Sequence, residues 1–195
     1  MANSLKSWIA GSMLALFASA ASAGTADYKV AERYRFNLGG DVGQYTDWER
    51  QDLARFDGLV TTFRFGKVYG KKSDKWDSIG RINLHGPGEG DGRAMISIIF
   101  LVDRKTHGVT PIVSDSITGQ KGRLDVTAEG DKPITFSAFK VADADKMLLK
   151  VNDTSVTIPS TFEIRSVSVI GSGVDLGVEK FELVHRQPAE AGKGE

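Results

Sequence analysis

His85 closes an apolar stretch and stands immediately before Gly86-Pro87-Gly88. An imidazole placed there can act as a proton acceptor, or it can be an ordinary solvated surface ring. Arg81 and Asn83 precede it in Ile79-Gly80-Arg81-Ile82-Asn83-Leu84-His85-Gly86, and Trp48-Glu49-Arg50 brings a second group of donors, acceptors and an aromatic ring. Arginine and carboxylate groups can bond sugar hydroxyls, and a flat aromatic face can stack on a sugar ring. Trp48, Trp76, Tyr45 and Tyr69 are flanked by polar or charged residues rather than set in apolar runs. For the two tryptophans, a stacking surface and a plug between sheets are both open readings. The expected ligand-binding set is Trp48, Glu49, Arg50, Trp76, Arg81, Asn83 and His85.

Other chemistry-bearing residues have blander readings. His107 in a polar turn and His185 near the end of the last apolar stretch read as structural or solvated. Gly88-Glu89-Gly90-Asp91-Gly92 lacks the lysine and following helix of a phosphate loop. Its two carboxylates could offer oxygens to calcium, but that ion wants more ligands than they supply, so a flexible hairpin loop is expected and no cofactor. Asn152-Asp153-Thr154 matches a glycosylation acceptor and reads more simply as a hairpin turn.

The elements that must position these groups are strands. Leu59, Thr61, Phe63 and Phe65 alternate with Val60, Thr62 and Arg64, the period of a half-buried strand. From Ala94 to Val102 both alternating sets are mainly apolar, which predicts a strand at the centre of the fold. Tyr28 to Leu38, Val109 to Ile117, Gly122 to Ala128, and Ile134 to Phe139 read as further strands, with turn glycines between several of them. Met147 to Val151 and Val156 to Ile158 form a hairpin around Asn152-Asp153, closed by Pro159. Phe162 and Ile164 run one residue out of phase with Val167 and Val169, which predicts a bulge near Arg165 or Ser166. Val174 to Arg186 is the last strand, with Phe181 and Leu183 facing one way and Glu182 and Val184 the other. Thr46 and Glu49 have capping-box spacing, so Thr46 to Phe56 leans towards a helical turn over an extended segment presenting Trp48 and Arg50. Many short strands with almost no helix predict an all-β, two-sheet antiparallel β-sandwich.

Lys6, the apolar run from Trp8 to Phe17, and Ala21-Ser22-Ala23 have the pattern of a secretory signal. The run is short of the ~20 residues that cross a bilayer. The expected organisation is a signal peptide over 1–23, a sandwich over 24–186 and a disordered tail over 187–195. Cleavage would leave 24 basic residues (25 less Lys6) against 25 acidic ones. That balance gives no drive towards nucleic acid or an anionic membrane. With no cysteine in 195 residues, thiol chemistry and disulfides are excluded, and a periplasmic or secreted bacterial protein is expected.

Asp145 to Asp153 and Gly177 to Leu183 resemble a late hairpin and the last strand of laminin-G-like and other concanavalin A-like jelly rolls. Trp48-Glu49-Arg50-Gln51-Asp52-Leu53 and Ile79 to Gly86 are similar to two motifs of the alginate lyases of polysaccharide lyase family seven, which share that fold. The resemblance implies Arg50 or Arg81 as neutraliser of a uronate carboxylate and His85 as base. The family's catalytic tyrosine near the C-terminus has no counterpart, since Tyr28, Tyr34, Tyr45 and Tyr69 all lie in the first half. The leading expectation is therefore non-catalytic binding of a polysaccharide or surface glycan. A lyase and a structural or adhesive envelope protein are the alternatives.

Overall fold

The alternation of Leu59, Thr61, Phe63 and Phe65 becomes the buried face of strand β3 (Gly58–Val68), with Arg64 turned to solvent. The computed structural model describes residues 28–70, 76–88, 93–119, 121–141, 145–160 and 162–187, and every regular element among them is a strand. One sheet has the neighbour order β1 (Tyr28–Leu38), β13 (Val174–Arg186), β3, β9 (Ile134–Lys140), β10 (Lys146–Val151) and β11 (Thr154–Pro159). The other runs β2 (Thr46–Arg50), β12 (Ser166–Ser172), β4 (Ser78–His85), β5 (Met95–Val102), β6 (Gly108–Asp115) and β7 (Lys121–Arg123), with β8 (Ala128–Glu129) also on β6. The chain is thus the all-β, two-sheet antiparallel sandwich that its periodicity predicts.

The two inner faces meet in one core, where hydrophobic burial is the main stabilising term. Phe100 of β5 packs edge-on against Phe63 at 4.8 Å and Phe136 at 6.0 Å, both from the opposite sheet. Strand β5 lies inside its sheet as expected, with Ile96, Ile98, Phe100 and Val102 inward. Gly80 lies tight against the opposite sheet, for a Cβ there would lie 2.7 Å from the Phe65 ring.

Residues 29–185 form one compact unit. Tyr28, Arg186 and Gln187 fall to a second unit, in which the Arg186 guanidinium donates to the Tyr28 hydroxyl at 3.3 Å. The expected signal peptide and almost all of the expected tail lie outside the described residues.

Two local expectations are corrected. Thr46 to Arg50 is strand β2 rather than a helical turn, because its backbone pairs with β12 from Val167↔Arg50 to Gly171↔Thr46. The phase break after Ile164 is not a bulge either. Residues 162–165 are irregular and β12 begins only at Ser166, so Ile164 and Val167 both reach the core without a shared strand phase. A bulge does occur in β13, where the register with β3 shifts between Val178 and Lys180 and lets Val178 and Phe181 face the same way.

Candidate functional site

In β4 the inward residues Ile82 and Leu84 join the core, and Gly80 meets the Phe65 ring, so Ile79, Arg81, Asn83 and His85 fall on the outer face. The antiparallel register then sets their neighbours. Glu49, Ser168, Asn83, Ser97 and Ser114 stand side by side across five strands, and Asp47, Ile170, Arg81, Ile99 and Ile112 form the adjoining row. Directly opposed side chains on one face interact.

The middle of the first row, Ser168, Asn83 and Ser97, is joined with His85 into a hydrogen-bonded chain. Ser97 Oγ donates to Asn83 Oδ1 at 2.8 Å, Asn83 Nδ2 donates to Ser168 Oγ at 3.1 Å, and His85 Nε2 lies 2.9 Å from the same hydroxyl. Burial, and then the Arg93 charge, hold the His85 pKa below its ordinary value, against the smaller pull of Glu49. A neutral ring can accept the Ser168 proton at Nε2 and keep its other N–H for a ligand.

Next to this row Ser166 Oγ donates to Glu49 Oε1 at 2.9 Å, and Arg93 pairs with the same oxygen at 3.3 Å while its Nε donates to the Gly86 carbonyl at 3.2 Å. Burial of Glu49 works against its charge. Hydrogen bonds from Gln51, Ser166 and Arg93 outweigh that and bring its pKa below the usual carboxylate value.

Arg81 differs from its neighbours. Its Nε is buried without a hydrogen-bond partner among the described residues, and isoleucines flank it on both adjoining strands. A buried donor left unpaired costs about 1–3 kcal/mol, so this group is primed for an acceptor brought from outside.

The aromatic groups separate. Trp76, two residues before β4, is 55% exposed, and Tyr45, one residue before β2 and in phase with Glu49, is 56% exposed. The Trp76 ring covers Gly43, where a Cβ would meet it at 3.4 Å, and its carbonyl accepts from Arg104. Trp48 faces the other way. It stacks on Phe36 at 4.6 Å and meets Phe181 at 5.0 Å, so it is a plug between the sheets. Arg50, two residues on, also points to that side and is held by Glu32 at 2.8 Å, which itself receives the Tyr34 hydroxyl. Of the expected ligand set, Glu49, Arg81, Asn83 and His85 therefore share one face with Trp76 at its end, while Trp48 and Arg50 do not join them.

His107 sits in a turn with φ of 57°, and His185 Nδ1 lies 3.6 Å from Asp57 Oδ2. Glu89 and Asp91 of the glycine-rich loop lie outside the described residues. Among the described residues no three His, Asp or Glu side chains gather as a metal site would require.

Sequence reasoning missed Ser97, Ser166, Ser168 and Arg93. The serines carried a usable signal, since polar residues at two-residue spacing in the apolar run of β12 mark an outward row. Arg93 carried none, because its role depends on the route of the loop after β4.

The sheet order and the shared core make the chain a jelly-roll β-sandwich. No family model and no curated protein sequence matches the chain. Among solved structures, a beta-fructofuranosidase from Schwanniomyces occidentalis, complexed with fructosyl-erythritol, is similar at a TM-score of 0.53 and 8% identity, over 82% of this chain and 34% of that one. The galectin LEC-6 of Caenorhabditis elegans is similar at a TM-score of 0.48 and 14% identity, over 77% and 96% of the two chains. At 8% identity the likeness to the fructofuranosidase is one of fold.

Proposed function

We propose that this protein binds a polysaccharide or surface glycan, without catalysis, along the outer face of the β2–β12–β4–β5 sheet. The observation that carries the reading is Arg81, whose buried Nε lacks an acceptor among the described residues, in the middle of a strand that also presents the partly exposed His85. From Ile79 to His85 the strand extends about 20 Å at about 3.3 Å per residue, a length suited to an extended chain. Trp76 and Tyr45 supply exposed rings at one end, and Glu49 supplies an ionised acceptor near the other. Donors, acceptors and aromatic faces along one strip are what hydroxyl-rich ligands require.

The reading without catalysis is supported by where the tyrosines lie. Tyr34 packs 4.8 Å from Trp48, Tyr69 donates to Asp175 at 2.9 Å, and Tyr45 sits beyond the opposite end of β2 from Glu49. None of these three is placed to protonate a leaving oxygen beside His85.

Export to the periplasm or exterior belongs to the same proposal. It rests on Lys6, the apolar run and Ala21-Ser22-Ala23, and an exported chain whose N-terminal mass begins at Gly24 would bear it out. The binding reading is tested by affinity electrophoresis through gels containing neutral and acidic polysaccharides. Retardation that is lost in Arg81→Ala supports it; equal migration of both proteins in every gel overturns it.

A further inference from the structure

The strands at the open edges are β1 and β11 in one sheet and β2, β7 and β8 in the other. An open edge invites a further strand, and charged residues along it oppose that pairing. Strand β1 carries Lys29, Glu32, Arg33 and Arg35, and β2 carries Asp47, Glu49 and Arg50. Strands β7 and β8 are three and two residues long and are also charged. Strand β11, Thr154-Ser155-Val156-Thr157-Ile158-Pro159, carries no charge over six residues, and no described residue pairs with its outer side.

The hydrogen-bonding phase of β11 follows from its neighbour. Ser160 donates its N–H to the Asp145 carbonyl at 3.0 Å, and the β10–β11 register sets these two residues opposite each other. In an antiparallel pair such bonding recurs every second residue, so Ile158, Val156 and Thr154 also bond to β10. Ser155 and Thr157 therefore point their N–H and C=O groups away from it, and Pro159 points a carbonyl alone. The same phase holds within β10, where the Lys146 carbonyl turns the other way and accepts the Val141 N–H at 3.0 Å.

We infer that β11 is an interface between two copies of this chain, paired antiparallel about a two-fold axis at Val156, so that two six-stranded sheets join into one. In that register Ser155 lies opposite the partner's Thr157, and the N–H of each meets the C=O of the other. An axis at Thr157 would instead set the Ser155 carbonyl against the proline nitrogen, which has no hydrogen to donate. Val156 meets the partner's Val156 and Ile158 meets the partner's Thr154, on the face where Val156 and Ile158 pack against the core. Such β-branched pairs stabilise a sheet. Charge agrees with this register. Lys150 shares a row with Ser155, the partner's Thr157 and the partner's Leu148, so no like charges are opposed. Lys146 shares a row with Pro159, and the register carried one residue past β11 brings the partner's Asp153 to the other side of that proline. The same patch serves both copies, so the assembly closes as a dimer. The inference does not rest on the glycan reading, because β11 belongs to the other sheet.

The test is sedimentation equilibrium of the full chain over a range of concentrations, beside hydrogen–deuterium exchange. A monomer–dimer equilibrium is expected, with the Ser155 and Thr157 amides more protected at high concentration than at low. Both side chains are exposed, so charged residues there should leave the melting temperature in place. Ser155→Lys combined with Thr157→Lys opposes like charges across the axis and should raise the dissociation constant of the dimer about tenfold or more. Ser155→Lys combined with Thr157→Glu opposes unlike charges and should return the constant towards wild type. A monomer at every concentration overturns the inference. So does a dimer that withstands the paired lysines, or one whose Ser155 and Thr157 amides exchange at the same rate throughout. Equal dissociation of the lysine–lysine and lysine–glutamate variants overturns the axis at Val156. Glycan retention lost in Arg81→Ala while the dimer persists bears on the outer face of the other sheet alone.

Discussion

Nε2 of His85 and the hydroxyl of Ser168 stand 2.9 Å apart across the β4–β12 pair. That contact ties the titration state of a half-buried imidazole to a buried chain of amide and hydroxyl groups reaching Ser97. Its pH behaviour follows. Because the folded His85 pKa lies below the ordinary 6.5, the unfolded chain takes up a proton first as the pH falls. The stability associated with the neutral ring is complete above pH 6.5 and is lost as pH falls from there through the folded value. Imidazole NMR should titrate His85 below 6.5, and the melting temperature of wild type should fall more steeply on acidification than that of His85→Gln. A His85 midpoint above 6.5 would reverse the sign.

Arg81→Ala should separate binding from folding. The side chain leaves a buried Nε unpaired, so truncation removes no internal hydrogen bond from that atom, and the stability change should stay within about 1 kcal/mol. Loss of a charged donor to a ligand is worth about 1.5–3 kcal/mol, or roughly ten- to a hundredfold in affinity. Arg81→Lys should recover only part of it, since a lysine cannot reproduce the planar fork. Retention assays beside thermal melts decide the matter.

The two tryptophans should behave oppositely. Trp48→Ala removes the ring between Phe36 and Phe181 and should cost about 3 kcal/mol of stability. Trp76→Ala, at a ring 55% exposed, should leave denaturant midpoints near wild type and weaken glycan retention. Equal destabilisation by both would place Trp76 in a structural role.

Elimination from a uronate creates a double bond conjugated to the carboxylate, so a lyase raises the ultraviolet absorbance of a polyuronate solution. No rise is expected here on alginate or related polymers, because Tyr34, Tyr45 and Tyr69 are placed away from His85 and cannot act as the acid. A steady rise abolished in His85→Ala would establish catalysis and make His85 the base.

Gly80→Ala tests the packing that carries the site. A Cβ would lie 2.7 Å from the Phe65 ring, too close without movement of that ring or of the sheets, and a loss of about 1–3 kcal/mol is expected in chemical denaturation. Unaltered stability would show that the sheets yield there without cost.

What the sequence determined alone was whatever depends on local alternation. The two-residue period of β3, the doubly apolar run of β5 and the Asn152-Asp153 hairpin were legible because a strand sorts its own side chains to two faces whatever its partners are. Helical spacing at Thr46 and Glu49 misled, because a short segment has too little intrinsic preference to resist the backbone pairing offered by β12. Only the tertiary structure decided which face of each strand met the other sheet. That choice turned Trp48 and Arg50 inward while leaving Glu49 beside Ser166, and a one-residue change of phase would have reversed it. It also brought together Arg93 and Glu49, 44 positions apart, and Asn83 and Ser168, 85 apart. Contacts of that range are set by sheet order and register, which no local pattern encodes.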